Sequence, residues 1–242
     1  MRDFVELWTY LASTPLFGLT ATLAVYSLAQ ATYVRLRQAA WANPVLWSVL
    51  TIAGALLLTG TAYPTYFAGA QFIHFLLGPA VVALGWPLWQ RRAELRRYGL
   101  PLCLAAFAGG ASAALSAWLL GRWLGLPHEV LMSLVPKSVT APVAMGLAEK
   151  SGGIPALAAV FAVLTGMVGA LSGKYLFQWL GIGTSGPGWR TRGFALGTAA
   201  HGIGAARALQ VHPDAGAYAG LALGLQVLLA SLVLPLVVHW VD

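Results

Sequence analysis

Leu100-Pro101-Leu102-Cys103-Leu104-Ala105-Ala106-Phe107-Ala108-Gly109-Gly110-Ala111-Ser112-Ala113-Ala114-Leu115-Ser116-Ala117-Trp118-Leu119-Leu120 runs without a charged side chain between Arg97 and Arg122. About 20 apolar residues in a helix cover the hydrocarbon core of a bilayer, so a membrane span is expected within 98–120. Comparable runs stand near 15–35, 44–62, 67–89, 129–149, 154–180, 193–210 and 215–240. The 242-residue chain is 59% hydrophobic and 9% charged, whereas soluble domains carry about a quarter charged residues. Seven acids and fourteen bases cannot solvate the surface of such a domain. An ordinary cytosolic protein, a disordered chain and a nucleic-acid binder are thereby excluded. The expected fold is an all-α integral membrane protein, one transmembrane domain over 1–242 with about 7–8 helices. The runs are too long and continuous for the alternating strands of an outer-membrane barrel.

Met1–Glu6 carries two acids where a cleavable signal would carry bases, so none is expected. Ala105 to Ala111 lets helices approach closely. Cys103 reads as a small buried hydrophobe, without a disulfide framework. No His, Cys, Asp or Glu pair has metal-ligand spacing, and neither metal nor cofactor is expected. By the positive-inside rule, Arg35 and Arg37, with Arg91, Arg92, Arg96 and Arg97, mark one cytoplasmic face. Eight crossings is the simplest count. The runs at 129–149 and 193–210 resist it, because each mixes a base with small or polar residues. Either is a crossing, a re-entrant hairpin or a broken helix, and the latter two are tolerated only in a protein-lined setting.

Three stretches differ from lipid-facing helix. Leu76 to Pro87 contains Gly78, Pro79, Gly85 and Pro87. It is either a kinked structural helix or an unwound segment in which Gly78, Pro79 and Val82 line a solute path. In Ser133 to Met145, Lys137, Ser138 and Thr140 stand between Pro136 and Pro142. A lysine at such depth normally faces a cavity, a partner or a substrate, and the prolines free backbone amides beside it. That combination suits a small carboxylate, with snorkelling of Lys137 as the bland alternative. Arg192 to Arg207 places Gly197, Thr198, His201, Gly202 and Gly204 together. It lacks the Lys-Ser/Thr of a phosphate loop, and His201 is either satisfied by neighbouring backbone or a carrier of a coupled proton. The proline-containing stretches after Leu77 and Val135 echo each other weakly, as broken repeat segments do. In an eight-crossing count, however, both run the same way. Ser138 and His201 lack an orienting acid, which argues against a hydrolase.

The segments Leu76–Leu84, Leu134–Met145, Gly152–Phe161 and Arg192–Gly204, with Asn43-Pro44 and Tyr63–Tyr66, resemble the LrgB/CidB family from about residue 40 onward. The resemblance implies antiholin-like regulators of murein hydrolase export, encoded beside a smaller LrgA/CidA-type membrane protein. It also implies a plant relative that carries glycolate and glycerate, and bacterial members linked to pyruvate, lactate or acetate. A carrier fold similar to bile-acid symporters, with broken crossing helices, is implied too. Lys137, Ser138, Thr140 and His201 fall on motif positions, whereas Val81 and Ala141 stand where relatives often have threonine.

The expected function is a secondary carrier of small monocarboxylates in the bacterial inner membrane, with His201 as the candidate acceptor of a coupled proton, and not an enzyme. Lys137, Ser138, Thr140, Thr198, His201 and Gly202 are expected to bind the solute. Pro136, Pro142, Gly197 and Gly204 are expected to break helices along the path. The rival is an antiholin-like partner of an LrgA/CidA-type holin without a solute of its own. Partners are thus a small carboxylate, the lipid bilayer, an LrgA/CidA-type protein and, as a further option, a second copy of the chain.

Overall fold

The computed structural model describes residues 16–37, 39–76, 79, 82 and 85–241, and every regular element among them is helical. The chain divides into two compact units, Met1–Ala80 and Val81–Asp242. In the first, α1 (Phe17–Arg35), α2 (Pro44–Thr59) and α3 (Tyr63–Phe75) follow one another. Asn43 caps α2 by accepting from the amides of Val45 and Leu46 at 2.9 and 3.2 Å. Pro44 sits at the start of α2, where a missing amide costs nothing. Gly18 meets the Tyr66 backbone, and the Thr22 and Tyr66 hydroxyls lie 2.6 Å apart, which ties α1 to α3. Of the run expected at 67–89, α3 holds the part up to Phe75 in the first unit and α4 (Gly85–Gln90) belongs to the second, with residues 77, 78, 80, 81, 83 and 84 outside the described residues. Gly78 lies outside the described residues; Pro79 and Val82 are helical and exposed.

The second unit continues with α5 (Arg92–Trp123), α6 (His128–Leu134), α7 (Ala141–Lys150), α8 (Pro155–Trp179), α9 (Gly186–Val211) and α10 (Pro213–Val241). Among the described residues, α5, α8 and α10 are long and apolar enough to cross a membrane. At 25 residues, α8 is about 37 Å long.

Both segments that resist a simple crossing fold back on themselves. α6 and α7 have 7 and 10 residues, and the turn at 135–140 reverses the chain between them. A Cβ built on Gly152, just past α7, would lie 3.8 Å from His128 Nε2 at the start of α6. The Ser133 hydroxyl accepts from the Ile154 amide at 2.7 Å and donates to the Glu129 carbonyl at 2.6 Å. The chain thus leaves this hairpin beside the point where it entered.

α9 reverses at His201, whose φ of 41° and ψ of −134° break the helix. A straight helix would separate Trp189 from His212 by about 35 Å, yet their rings stack with centroids 4.9 Å apart. A Cβ on Gly204 would lie 2.7 Å from the Leu196 carbonyl oxygen, so the limbs 186–200 and 202–211 lie against each other. Of the alternatives open at 129–149 and 193–210, the fold-back is the one present: each is a pair of half-helices. Hydropathy sums are blind to the difference, because two short limbs contain as many apolar residues as one span.

The hairpins open on opposite ends of α8. The first is based at Ile154, before α8, and the second beyond the Trp179 end, where Arg192 donates to the Ile182 carbonyl from Nε at 3.1 Å. α5 with the first hairpin and α8 with the second therefore form one motif in two opposite orientations, an inverted repeat. The sequence carries it. Ala106, Gly110, Ala114, Leu115, Ser116, Leu120, Trp123, Leu124 and Gly125 recur at constant spacing as Ala162, Gly166, Ala170, Leu171, Ser172, Leu176, Trp179, Leu180 and Gly181. Gly125 and Gly181 adopt φ of 68° and 66°, the left-handed conformation that ends a helix at low cost only for glycine. The closing bonds match: Leu126 donates to the Gly121 carbonyl and Ile182 to that of Phe177, at 3.0 and 2.9 Å.

Charge orients the unit. Arg91, paired with Glu94, and Arg190 lie 5.9 and 5.5 Å from the Tyr218 ring centroid. The starts of α5, α9 and α10 therefore share a face, rich in Arg91, Arg92, Arg96, Arg97, Arg190 and Arg192. The opposite face carries Arg122 and Lys150. The positive-inside rule predicts that the Arg91 face is cytoplasmic, which would have the His201 hairpin enter from the cytoplasm and the Lys137 hairpin from outside. In a Cys103→Ala background, Lys150→Cys and Val211→Cys should react with a membrane-impermeant thiol reagent from opposite sides of the membrane. Eight through-going spans would place both on the same side.

Candidate functional site

The middle of α5 is where the second unit brings its polar groups together. Gly109, Gly110 and Ala113 share a face because residues three and four apart are neighbours on a helix. Lys137, at the tip of the first hairpin, donates from Nζ to the Ala113 carbonyl at 2.9 Å. Thr198, near the tip of the second, packs against Gly109, where a Cβ would lie 2.8 Å from its Cγ2. Gln226, near the midpoint of α10, sets its amide against Gly110, leaving no room for a side chain there. One turn of α5 thus meets both hairpins and α10.

Around Lys137 the backbone explains the residue types. The amides of Lys137 and Val139 close the tip by bonding the carbonyls of Leu134 and Pro136 at 3.1 and 3.2 Å. Those of Ser138 and Thr140 have no partner among the described residues. Thr140 is the N-cap of α7 with extended backbone, Pro142 occupies the first turn, and the threonine side chain makes no capping bond. Its Oγ1 is buried without a hydrogen-bond partner, as is Gln226 Oε1. Buried polar atoms are otherwise nearly always satisfied. Lys137 has no ion pair among the described residues; the ion pair present there joins Arg91 and Glu94. A half-buried ammonium held by a neutral carbonyl, beside free amides and the positive end of α7, is a setting that favours an anion.

The second tip is built differently. His201 is 4% exposed, and its Nε2 lies 2.7 Å from the Ala162 carbonyl oxygen. A carbonyl only accepts, so Nε2 carries a proton. Gly166 makes room for the ring: a Cβ there would sit 2.9 Å from His201 Cε1. A side-chain-bearing residue at such a φ costs about 1–3 kcal/mol, and the histidine's anchor on α8 holds it.

The remaining expected site residues are placed as follows. Thr198 spends its hydroxyl on the Phe194 carbonyl at 2.9 Å. Gly197, like Gly193 one turn before it, abuts the α10 backbone, at Ala219 and Ala215 respectively, and Gly204 abuts the opposite limb of its own hairpin. Gly202 has open space at its Cβ position. Pro136 and Ser138 line a cavity of about 310 Å³ between α5, the first hairpin and α10, whereas Lys137, Thr140, Pro142 and His201 do not. Pro79 and Val82 are exposed. Gln226, 5% exposed and on the cavity wall, carries neither a charge nor an imidazole and so is not among the expected site residues. Its signal is an amide alone in the apolar run Leu221 to Ala230.

The sequence profile of the LrgB-like family matches residues 22–240. Two proteins of Bacillus subtilis, YwbG and YxaC, both called uncharacterized, are 34% and 33% identical over 199 and 195 residues. These matches cover 82% and 81% of this chain and 86% and 83% of theirs. The holin-like protein CidB of Staphylococcus epidermidis is 26% identical over 196 residues, 81% of this chain and 84% of its own. No solved structure matches. Membrane-length apolar helices, a family match across nearly the whole chain and bacterial relatives of equal extent agree: this is a multi-pass bacterial membrane protein that belongs to the LrgB-like family.

Proposed function

We propose that the chain is a secondary carrier of small monocarboxylates, acting by transport rather than catalysis. The observation that carries this reading is the cationic tip of the first hairpin. Lys137, the free amides of Ser138 and Thr140 and the unpartnered Thr140 hydroxyl lie on one re-entrant turn at the depth of mid-α5. An entering carboxylate takes the ammonium from the Ala113 carbonyl and the amides from no one, so binding breaks a single internal bond. Two hairpins entering from opposite faces supply one gate each, which suits alternating access around a fixed site. Proton coupling, where present, runs through His201: Nε2 already carries a proton, so a second enters at Nδ1. The working span count is α5, α8 and α10 in the second unit, with both hairpins re-entrant.

The names of the holin-like relatives favour a second reading, a regulator that works with an LrgA/CidA-type partner. Uptake of labelled lactate, pyruvate and glycolate into proteoliposomes holding this chain alone separates the two. Saturable uptake supports the carrier. Uptake that needs the small partner and never saturates supports the regulator.

A further inference from the structure

The register that pairs Ala106 with Ala162 also pairs Gly99 with Pro155, the first residue of α8. The repeat therefore accounts for α5 from Gly99 to Trp123, a stretch as long as α8, whereas α5 begins at Arg92. Before α8 the matching place holds the end of α7 and a turn, so Arg92–Tyr98 is an addition to the repeat. It is also set off from the span. Tyr98 has φ of −124° and ψ of 18°, outside the helical region, and Pro101 has no amide to bond the Arg97 carbonyl.

The added turns have two faces. Inward, Arg91 pairs with Glu94 and lies against Tyr218, while Leu95 packs on the cluster of Ala106, Tyr218 and Leu221. Outward, Arg92, Arg96 and Arg97 are exposed and have no ion pair among the described residues. Exposed aromatic rings stand between them. The Arg92 guanidinium lies 4.8 Å from the ring centroid of Trp89, and that of Arg97 lies 5.1 Å from the ring centroid of Tyr98. Trp86 and Trp89 are 62% and 61% exposed. Water gives such indoles no partner, and hydrocarbon cannot hold three unpaired guanidinium groups. The headgroup layer suits both, because indoles settle there and guanidinium matches phosphate oxygens. We infer that Gly85–Tyr98 is an interfacial arm whose outer face binds the phosphate headgroups of anionic phospholipids. A charge count alone sets topology; three unpaired guanidinium groups on one face beside exposed indoles make a headgroup site. The inference is independent of the carrier reading.

The test uses the full chain with Cys103→Ala and a donor fluorophore on Ala93→Cys, an exposed position within the arm. The protein is placed in nanodiscs of phosphatidylcholine with phosphatidylglycerol as the minority lipid, and trace acceptor-labelled phosphatidylglycerol or phosphatidylcholine is added. Energy transfer should report local enrichment of the anionic probe by about fivefold, the effect of one arginine near an anionic surface. The preference should disappear in the triple variant Arg92→Gln, Arg96→Gln, Arg97→Gln and persist in the triple lysine variant, which keeps the charge. At about 1 M salt the range of these charges shrinks to about 3 Å, and the enrichment should largely vanish. Equal transfer to the two probes, a preference that survives the triple glutamine variant, or one that persists at high salt would overturn the arm as a lipid site. Loss of the preference on adding inorganic phosphate at matched ionic strength would overturn it too, in favour of a site for free phosphate.

Discussion

Replacing Lys137 by alanine is expected to lower saturable carboxylate uptake at least about a hundredfold, because removing one partner of a buried charge pair costs about 3–5 kcal/mol. The protein itself should survive. In the unliganded chain the ammonium forms one hydrogen bond, to the Ala113 carbonyl, and that carbonyl lies inside α5, where the helix ladder can also satisfy it. Surface expression and unfolding midpoint in detergent should therefore stay near those of the parent while transport disappears. Lys137→Arg separates charge from shape. It keeps the cation but exchanges a compact ammonium for a planar fork, so uptake should return only partly. Parental uptake in Lys137→Ala would remove this residue from the binding site.

The second large effect concerns folding. Gly197→Leu should prevent assembly of the second unit, seen as loss of monodisperse protein on size exclusion. A Cβ at Gly197 would overlap the Ala219 carbonyl, and one at Gly193 that of Ala215; the obstacle is backbone, so truncating a side chain on α10 cannot relieve it. Overpacking commonly costs about 1–3 kcal/mol, and a clash of main chain with main chain forces the whole limb away. Gly146→Ala is the matched control, with nothing within 4 Å of the added carbon. It should be neutral or slightly stabilising, since alanine is the better helix former by about 1 kcal/mol.

Much of this architecture was legible in the residues, and the illegible part has a physical cause. Apolar runs located the three membrane-length helices of the second unit: 98–120 sits within α5, 154–180, in spite of Lys174, on α8 and 215–240 on α10. The fold-backs at 129–149 and 193–210 were flagged by Pro136, Lys137, Pro142 and the glycines around His201. Reversal itself depends on whether the limbs pack on each other, which hydropathy does not encode. The repeat is faint between the proline-broken segments and is written instead in the helices that precede the hairpins, from Ala106 to Gly125 and from Ala162 to Gly181. Once each helix is paired with its own hairpin, the objection that both broken segments run the same way no longer applies. At the site, Lys137 and His201 stood out because ionisable groups are expensive in a membrane. Gln226 did not, because one neutral amide hardly alters the hydropathy of α10, and its meaning comes only from its place against Gly110.

Exchange tests the carrier reading most directly. Proteoliposomes holding the chain alone are loaded with unlabelled lactate, and entry of labelled lactate is followed with no net gradient. A carrier that reorients with its solute should show entry accelerated by internal lactate, with the acceleration lost in Lys137→Ala. Entry that is indifferent to internal lactate and unchanged in Lys137→Ala would contradict a carrier with its site at the hairpin tips.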